Sequence, residues 1–282
     1  MEVLHQSRFD HAVDRFTRLN EEIFLILRTG VQSPAHVDVY DFNDLAVVKD
    51  VIALPAGKSP LGMEACSESN CVYVLCQDLE SNGLYRLVLR IKKNGEHRFN
   101  ISPWISDINL VASSISVFPN GILSLALGCD PVALRHYDTN GTLVLYASVH
   151  GLGFVDRVMQ KANGNLVLAS QSGDKNRRVL TEIDADGKVV RQHVSSLDGD
   201  MSTVVYAYGR DRMLITDPID GCELLDSEFN SLDFEGRQLT ENMHIDFSEY
   251  NGERNEFVSI GFCVSDLGDL DPTFTTFRFT EE

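Results

Sequence analysis

Short apolar runs, each set off by turn-forming residues, recur along the whole chain. Positions 23–27, 72–76, 122–127, 166–169, 213–215 and 257–262 are almost continuously aliphatic or aromatic. Runs of this length, rich in β-branched residues and bounded by Asn, Asp and Gly, predict strands buried on both faces rather than helices. A turn precedes each run: Asn20-Glu21-Glu22, Ser69-Asn70, Pro119-Asn120-Gly121, Asn163-Gly164, Arg210-Asp211 and Arg254-Asn255. A second series of turns is marked by Gly95, Gly141, Gly187 and Gly236, each directly behind Asn, Asp or Glu and spaced by 46, 46 and 49 residues. Such pairs supply the positive φ angles of tight hairpins. Phe42-Asn43-Asp44 is a relative of this turn one period earlier.

Two turns in each period of about 47 residues divide every unit into four strands, and a fixed period of this size is that of a propeller blade. The outer pair of a unit is clearest at 133–137 with 142–149 and at 179–183 with 188–194. The pattern predicts an all-β, six-bladed β-propeller with four-stranded antiparallel blades, a single domain over residues 1–282. Stacked sandwiches do not require such a period. The last unit contains runs at 257–262 and 273–279 but no fourth strand, whereas residues 1–6 precede the first complete unit. The N-terminal segment is therefore expected to close the last blade.

Charge narrows the partners. Acidic residues number 42 against 24 basic, a formal net charge of −18. This opposes binding to nucleic acid and to anionic membranes and favours a soluble monomer. Protein or peptide partners are expected, basic ones in particular, with nucleic acid and membrane disfavoured. No apolar stretch is long enough to span a bilayer, and residues 1–8 lack the apolar core of a secretory signal, so a cytoplasmic location is expected. The six cysteines form no Cys-x-x-Cys pair and no cluster with zinc spacing, which favours reduced thiols. Cys66 and Cys71 flank a turn and are the pair placed for a hairpin disulfide in an oxidising compartment.

The segment Ser172-Gly173-Asp174-Lys175-Asn176-Arg177-Arg178-Val179-Leu180 resembles the Asp-x-x-Asn-x-Arg-Val signature of NHL-repeat propellers, shortened by one residue. Residues 222–230 are similar to the third-strand segment of such repeats. The resemblance implies a binding platform with six blades. RING, B-box and coiled-coil segments of the ligases in that family have no counterpart here, and the acidic balance departs from its RNA-binding members. In such repeats Asp174, Asn176 and Arg178 mostly satisfy loop backbone and link blades.

Loops joining second to third strands share a face with the crossovers between blades. Those loops carry Asp78 and Glu80, Asp130, Asp174, Asp217 and Asp220, and Asp266, Asp269 and Asp271, while the first unit offers Arg28 instead. The crossovers add Asp107, Asp198 and Asp200, with Lys58, Trp104 and His150 as the non-acidic positions. Asp is common in loops because it caps turns; gathered on a rim, it also makes an electronegative face for a basic partner. Trp104, the one tryptophan, is either an exposed anchor on that face or packing between blades. Asp14-Arg15 and Asp156-Arg157 hold matched places in first strands and are expected to line the channel as local ion pairs.

No Gly-x-Ser-x-Gly elbow, His-Glu-x-x-His helix or phosphate-cradling loop is present, and the eight histidines are scattered. The function expected is a non-enzymatic protein or peptide interaction module with an acidic loop face, requiring no cofactor and no metal. The alternative is a propeller hydrolase of the calcium-dependent lactonase type, or an isomerase, with Ca2+ and the site at the channel mouth.

Overall fold

The computed structural model describes residues 2–8, 13–20, 22–27, 35–42, 44–82, 85–93, 99–108, 112–128, 130–171, 177–197, 203–207, 210–217, 221–232, 243–251, 256–264 and 270–278. Two compact units are resolved, Val13–Val158 and Met1–Ala12 with Met159–Glu282. The first unit holds three antiparallel sheets. They are β2 (Val13–Leu19), β3 (Glu22–Leu27), β4 (His36–Asp41) and β5 (Asp44–Ala53); β6 (Lys58–Cys66), β7 (Cys71–Asp78), β8 (Tyr85–Lys93) and β9 (Phe99–Ile108); and β10 (Ala112–Val117), β11 (Leu123–Leu127), β12 (Val132–Tyr137) and β13 (Leu143–Val149). A fourth sheet follows with β14 (Val155–Gln160), β15 (Leu166–Gln171), β16 (Arg178–Ile183) and β17 (Val189–Val194). The fifth has β18 (Thr203–Ala207), β19 (Arg212–Asp217) and β20 (Gly221–Leu225). In the last, β21 (Met243–Asn251), β22 (Glu256–Val264) and β23 (Leu270–Arg278) are joined by β1 (Glu2–Arg8), which pairs with β23 from Glu2 opposite Arg278 to Arg8 opposite Thr273.

The expected six four-stranded blades are thereby corrected. Five described sheets have four strands, and the sheet β18–β20 has three. The fifth unit also turns earlier than its glycine suggests. Its third strand ends at Leu225, and the turn is Asp226-Ser227-Glu228-Phe229-Asn230; Gly236 lies outside the described residues.

Alternation along the middle strands explains the continuous apolar runs. On β7, Val72, Val74 and Cys76 join a cluster with Phe24, Val37 and Val39 of the first sheet. The intervening Cys71, Tyr73 and Leu75 join another with Leu123, Leu125 and Leu127 of the third. A strand whose successive side chains point to opposite faces must be apolar throughout when a sheet lies against each face. In the other unit Val167 and Ala169 of β15 pack with Val204, Tyr206, Met213 and Ile215 of the fifth sheet.

The turns between third and fourth strands share one chemistry. Asp138 Oδ1 accepts from the amides of Asn140 and Thr142, Asp184 Oδ1 from Asp186 and Lys188, and Asp226 Oδ1 from Glu228 and Asn230. Backbone amides of Gly141, Gly187 and Phe229 close each turn onto the Asp carbonyl, with φ of 84°, 78° and 67°. Positive φ strains a phenylalanine, but Phe229 is buried against the fifth-sheet core and beneath Lys161, which compensates.

Between sheets of the first unit, side chains replace the missing backbone ladder. Thr17 Oγ1 on β2 accepts from the Ala65 amide on β6 at 3.0 Å, and Ser116 Oγ on β10 accepts from the Val158 amide at 3.1 Å. Both hydroxyls belong to buried residues. β2, β6, β10 and β21 each carry a register shift, which sharpens the local twist of these first strands. Thr17→Val keeps the shape but strands the Ala65 amide, so it is expected to lower stability by about 1–3 kcal/mol. Urea unfolding checks this, with exposed Thr142→Val expected to change stability by less than about 0.5 kcal/mol.

Candidate binding face

At the crossover end of the second sheet, Lys58 opens β6 and Asp78 closes β7. Asp78 Oδ1 accepts from Lys58 Nζ at 2.7 Å and from the Glu80 amide at 3.1 Å, while Ser81 Oγ donates to the Asp78 carbonyl. Glu80 takes a second bond from Lys58 at 3.2 Å, and the Leu79 amide donates to the Gly57 carbonyl. The hydrogen bond from Lys58 holds the Asp78 carboxyl below its ordinary range. Asp78 therefore braces its loop against the crossover rather than standing free. Leu79 remains exposed on this loop.

The third sheet presents its groups more openly. Asp130, before β12, and His150, after β13, lie 3.8 Å apart with side-chain exposures of 63% and 77%. The Gly151 amide donates to Asp130 Oδ1 at 3.3 Å, tying the second-to-third loop to the crossover. Leu152 anchors that crossover in the interior, and Phe154 stands 55% exposed where it enters β14. Asp156 follows, also exposed. An exposed pair such as Asp130 with His150 adds little to stability; its groups are accessible to a partner. Phe154 was not singled out by its sequence, although a large aromatic between two glycine-containing loop positions and a strand is the signal that marks it.

Other expected site residues fall elsewhere. Asp217 ends β19 but is only 2% exposed, so it is not presented to a partner. Trp104 lies within β9, not in a crossover. Its ring sits 4.6 Å from Tyr73 and 6.4 Å from Tyr137, and a Cβ at Gly141 would meet its Nε1 at 3.3 Å. It fills the space between the second and third sheets, because an indole gains more from that burial than from exposure. Asp174 and Arg28, like Asp220, Asp266 and Asp269, lie outside the described residues, as does the Asp14 side chain.

On the first strands, Arg15 is exposed on β2. Arg157 on β14 pairs with Glu64 on β6, Nη2 to Oε1 at 3.1 Å. Arg157 was expected beside Asp156; Glu64, on another sheet, is a partner that the sequence did not announce. Burial pushes the Glu64 carboxyl up, against the pull of Arg157. Among the described residues no three His, Cys, Asp or Glu gather in a group able to hold a metal.

Two buried carboxylates in the second unit escaped the sequence reading. Glu223 on β20 accepts from Ser195 Oγ at 2.7 Å, Ser231 Oγ at 3.0 Å and the Ser196 amide at 3.2 Å, with His193 Nε2 at 3.3 Å. Ser, His and Glu meet here, but the carboxylate sits in the middle and Ser195 is fully buried. The arrangement caps a charge; it does not activate a nucleophile, which needs the serine bonded to the base. Burial works to raise the Glu223 carboxyl, and the bonds from His193, Ser195 and Ser231 outweigh it, leaving it at about 2. Glu182 on β16 is held by Lys161 at 3.0 Å, Asn165 at 2.6 Å and Arg191 at 3.1 Å, and Lys161 also donates to the Ser227 carbonyl. Cys66, Cys71, Cys76 and Cys222 are buried and are not joined in disulfides. Cys66 and Cys71 stand opposite each other in the β6–β7 hairpin, and burial raises the Cys76 thiol to about 12, which removes it as a nucleophile.

No protein-family model matches the chain, and no curated protein does. Solved structures do. The chain is similar to a protein of unknown function from Dyadobacter fermentans DSM 18053, with a TM-score of 0.63 at 12% identity over 99% of each chain. It is similar to streptogramin B lyase, with a TM-score of 0.58 at 8% identity over 99% of this chain and 89% of that one. YCF48 bound to D1 peptide gives a TM-score of 0.55 at 9% identity, over 96% and 79%. These likenesses define the class: an all-β propeller of four-stranded antiparallel blades. The NHL resemblance is not joined by a family match.

Acid separates two of the buried groups. His136 on β12 is 5% exposed, and burial pushes its imidazole down to about 4. Its folded value is depressed, so the neutral ring's full contribution is present above the ordinary value near 6.5 and is lost as the pH falls toward 4. That loss is expected to reach about 3 kcal/mol. The Glu223 contribution is complete above the ordinary glutamate value and is lost lower, as the pH falls toward 2. Urea midpoints measured against pH are expected to show the first decline disappear in His136→Phe and the second persist.

Proposed function

We propose that this chain is a non-enzymatic module that binds a protein or peptide at the crossover end of its blades. The observation that carries the reading is Phe154, exposed in the crossover that also bears Asp130-linked His150 and leads into exposed Asp156. An accessible aromatic flanked by carboxylates suits an extended segment that alternates basic and apolar side chains. The net charge of −18 draws such a segment from a distance. A solved structure of this fold, YCF48, is bound to a peptide, which supports the same use of the architecture. The bonds to Asp78 from Lys58 and the Glu80 amide supply the rigid floor that such a face requires.

Short peptides alternating Lys or Arg with Leu are the probe. Fluorescence polarisation is expected to show saturable binding that weakens with salt. Phe154→Ala is expected to weaken it roughly tenfold or more, and Asp130→Asn to lower it less, with unchanged melting. Absence of binding by any such peptide, or binding indifferent to Phe154→Ala, overturns the reading.

A further inference from the structure

β6 and β7 are joined through Ser67, Glu68, Ser69 and Asn70, and Cys66 and Cys71 stand opposite each other as the last pair before that turn. No other two cysteines are opposed in the described strand registers. Opposed Cα atoms of an antiparallel pair lie about 4.5–5.5 Å apart, within the span of about 4.4–6.8 Å that a disulfide bridges. Opposed side chains also share a face, and both thiols belong to the apolar cluster of the second and third sheets, with Tyr73 and Trp104. Cys71 Sγ donates to the Ser69 carbonyl at 3.2 Å, which holds it toward the turn. Ser67, Glu68 and Asn70 are exposed, so opening of the turn alone admits a small reagent. The turn touches both neighbouring sheets. Asn70 Oδ1 accepts from Asn20 Nδ2 at 3.2 Å, in the turn between β2 and β3. Glu68 lies against Gly121 of the β10–β11 turn, where an added Cβ would come within 2.5 Å of its Oε2.

We propose that Cys66 and Cys71 form a reversible disulfide that latches this turn, a redox-controlled fastening among the three sheets of the first unit. The oxidant is a small disulfide of the glutathione class. One cysteine, as its thiolate, attacks a sulfur of that reagent; the bond between the reagent's two sulfurs breaks and one small thiolate leaves. The second cysteine thiolate then attacks the protein sulfur of the mixed disulfide and expels the other. Two electrons pass to the reagent, and the two protons lost by the cysteines end on the two small thiols. The bridge spans only four residues, 67–70, so it constrains the unfolded chain little. A disulfide so weakly favoured is the kind that small thiols reverse. Its effect is local. With the strand ends joined, Asn70 and Glu68 keep their contacts to the first and third sheets where the turn would otherwise fray. Cys76, on the opposite face of β7 with the first-sheet cluster, takes no part.

Incubation of the folded protein at graded ratios of glutathione disulfide to glutathione, followed by thiol alkylation and peptide mass mapping, tests the proposal. The expected result is the loss of two alkylation sites, Cys66 and Cys71, reversed by excess glutathione. Trp104 is the one tryptophan and shares the cluster of both cysteines. Its emission is expected to fall with the same midpoint, since a disulfide quenches a nearby indole. Hydrogen exchange at the Asn70 amide, which donates to the Ser67 carbonyl, is expected to slow severalfold in the oxidised protein. Cys66→Ser and Cys71→Ser are each expected to abolish the bridge and Cys76→Ala to keep it, with circular dichroism confirming the fold of each variant. Retention of both thiols under glutathione disulfide alone overturns the proposal. So does glutathione left on either cysteine without a bridge, bridging that requires denaturant, or exchange at Asn70 unchanged by oxidation.

Discussion

Sheets packed face to face share no backbone hydrogen bonds, so side chains alone must join each one to its neighbour. This constraint governs most of what is particular about the chain. It makes the middle strands apolar on both faces, as on β7, where alternate residues serve the first and third sheets. It places hydroxyls such as Thr17 and Ser116 where an amide of the next first strand needs an acceptor. It also fixes Trp104 between Tyr73 and Tyr137, against a glycine turn that leaves room for the indole.

The same constraint accounts for buried charge. Glu22 on β3 takes Lys49 from its own sheet at 3.0 Å and Lys93 from the second sheet at 2.6 Å. Glu182 and Glu223 bind groups from the fourth and fifth sheets. A buried carboxylate is costly unless several donors surround it, and each of these has them. Such clusters fix which sheet lies against which more strictly than apolar contact does. They also explain why Ser, His and Glu meet without forming a catalytic array.

Function is left to the surfaces that this packing does not consume. At the crossover end, Asp78 is spent on holding its loop and Asp217 is buried. Among the described residues, Asp130 and His150 of the third sheet and Phe154 at the start of the fourth are exposed there.

The period of the turns and the apolar runs by themselves determined the all-β repeat, the pairing order within sheets and the positions of most hairpins, because these depend on residues close in sequence. Asn and Asp before glycine announce a positive φ wherever they fall. The turn at Asp226 was not legible that way, since Phe229 adopts the angle without being glycine and is held there by contacts with the fifth-sheet core and Lys161. Only the tertiary structure decided the fate of individual polar and aromatic groups. Trp104 turned inward, Arg157 took Glu64, 93 residues away, as a partner, and Asp217 was buried. Each depends on what the neighbouring sheet offers across the interface, and a local pattern carries no record of that.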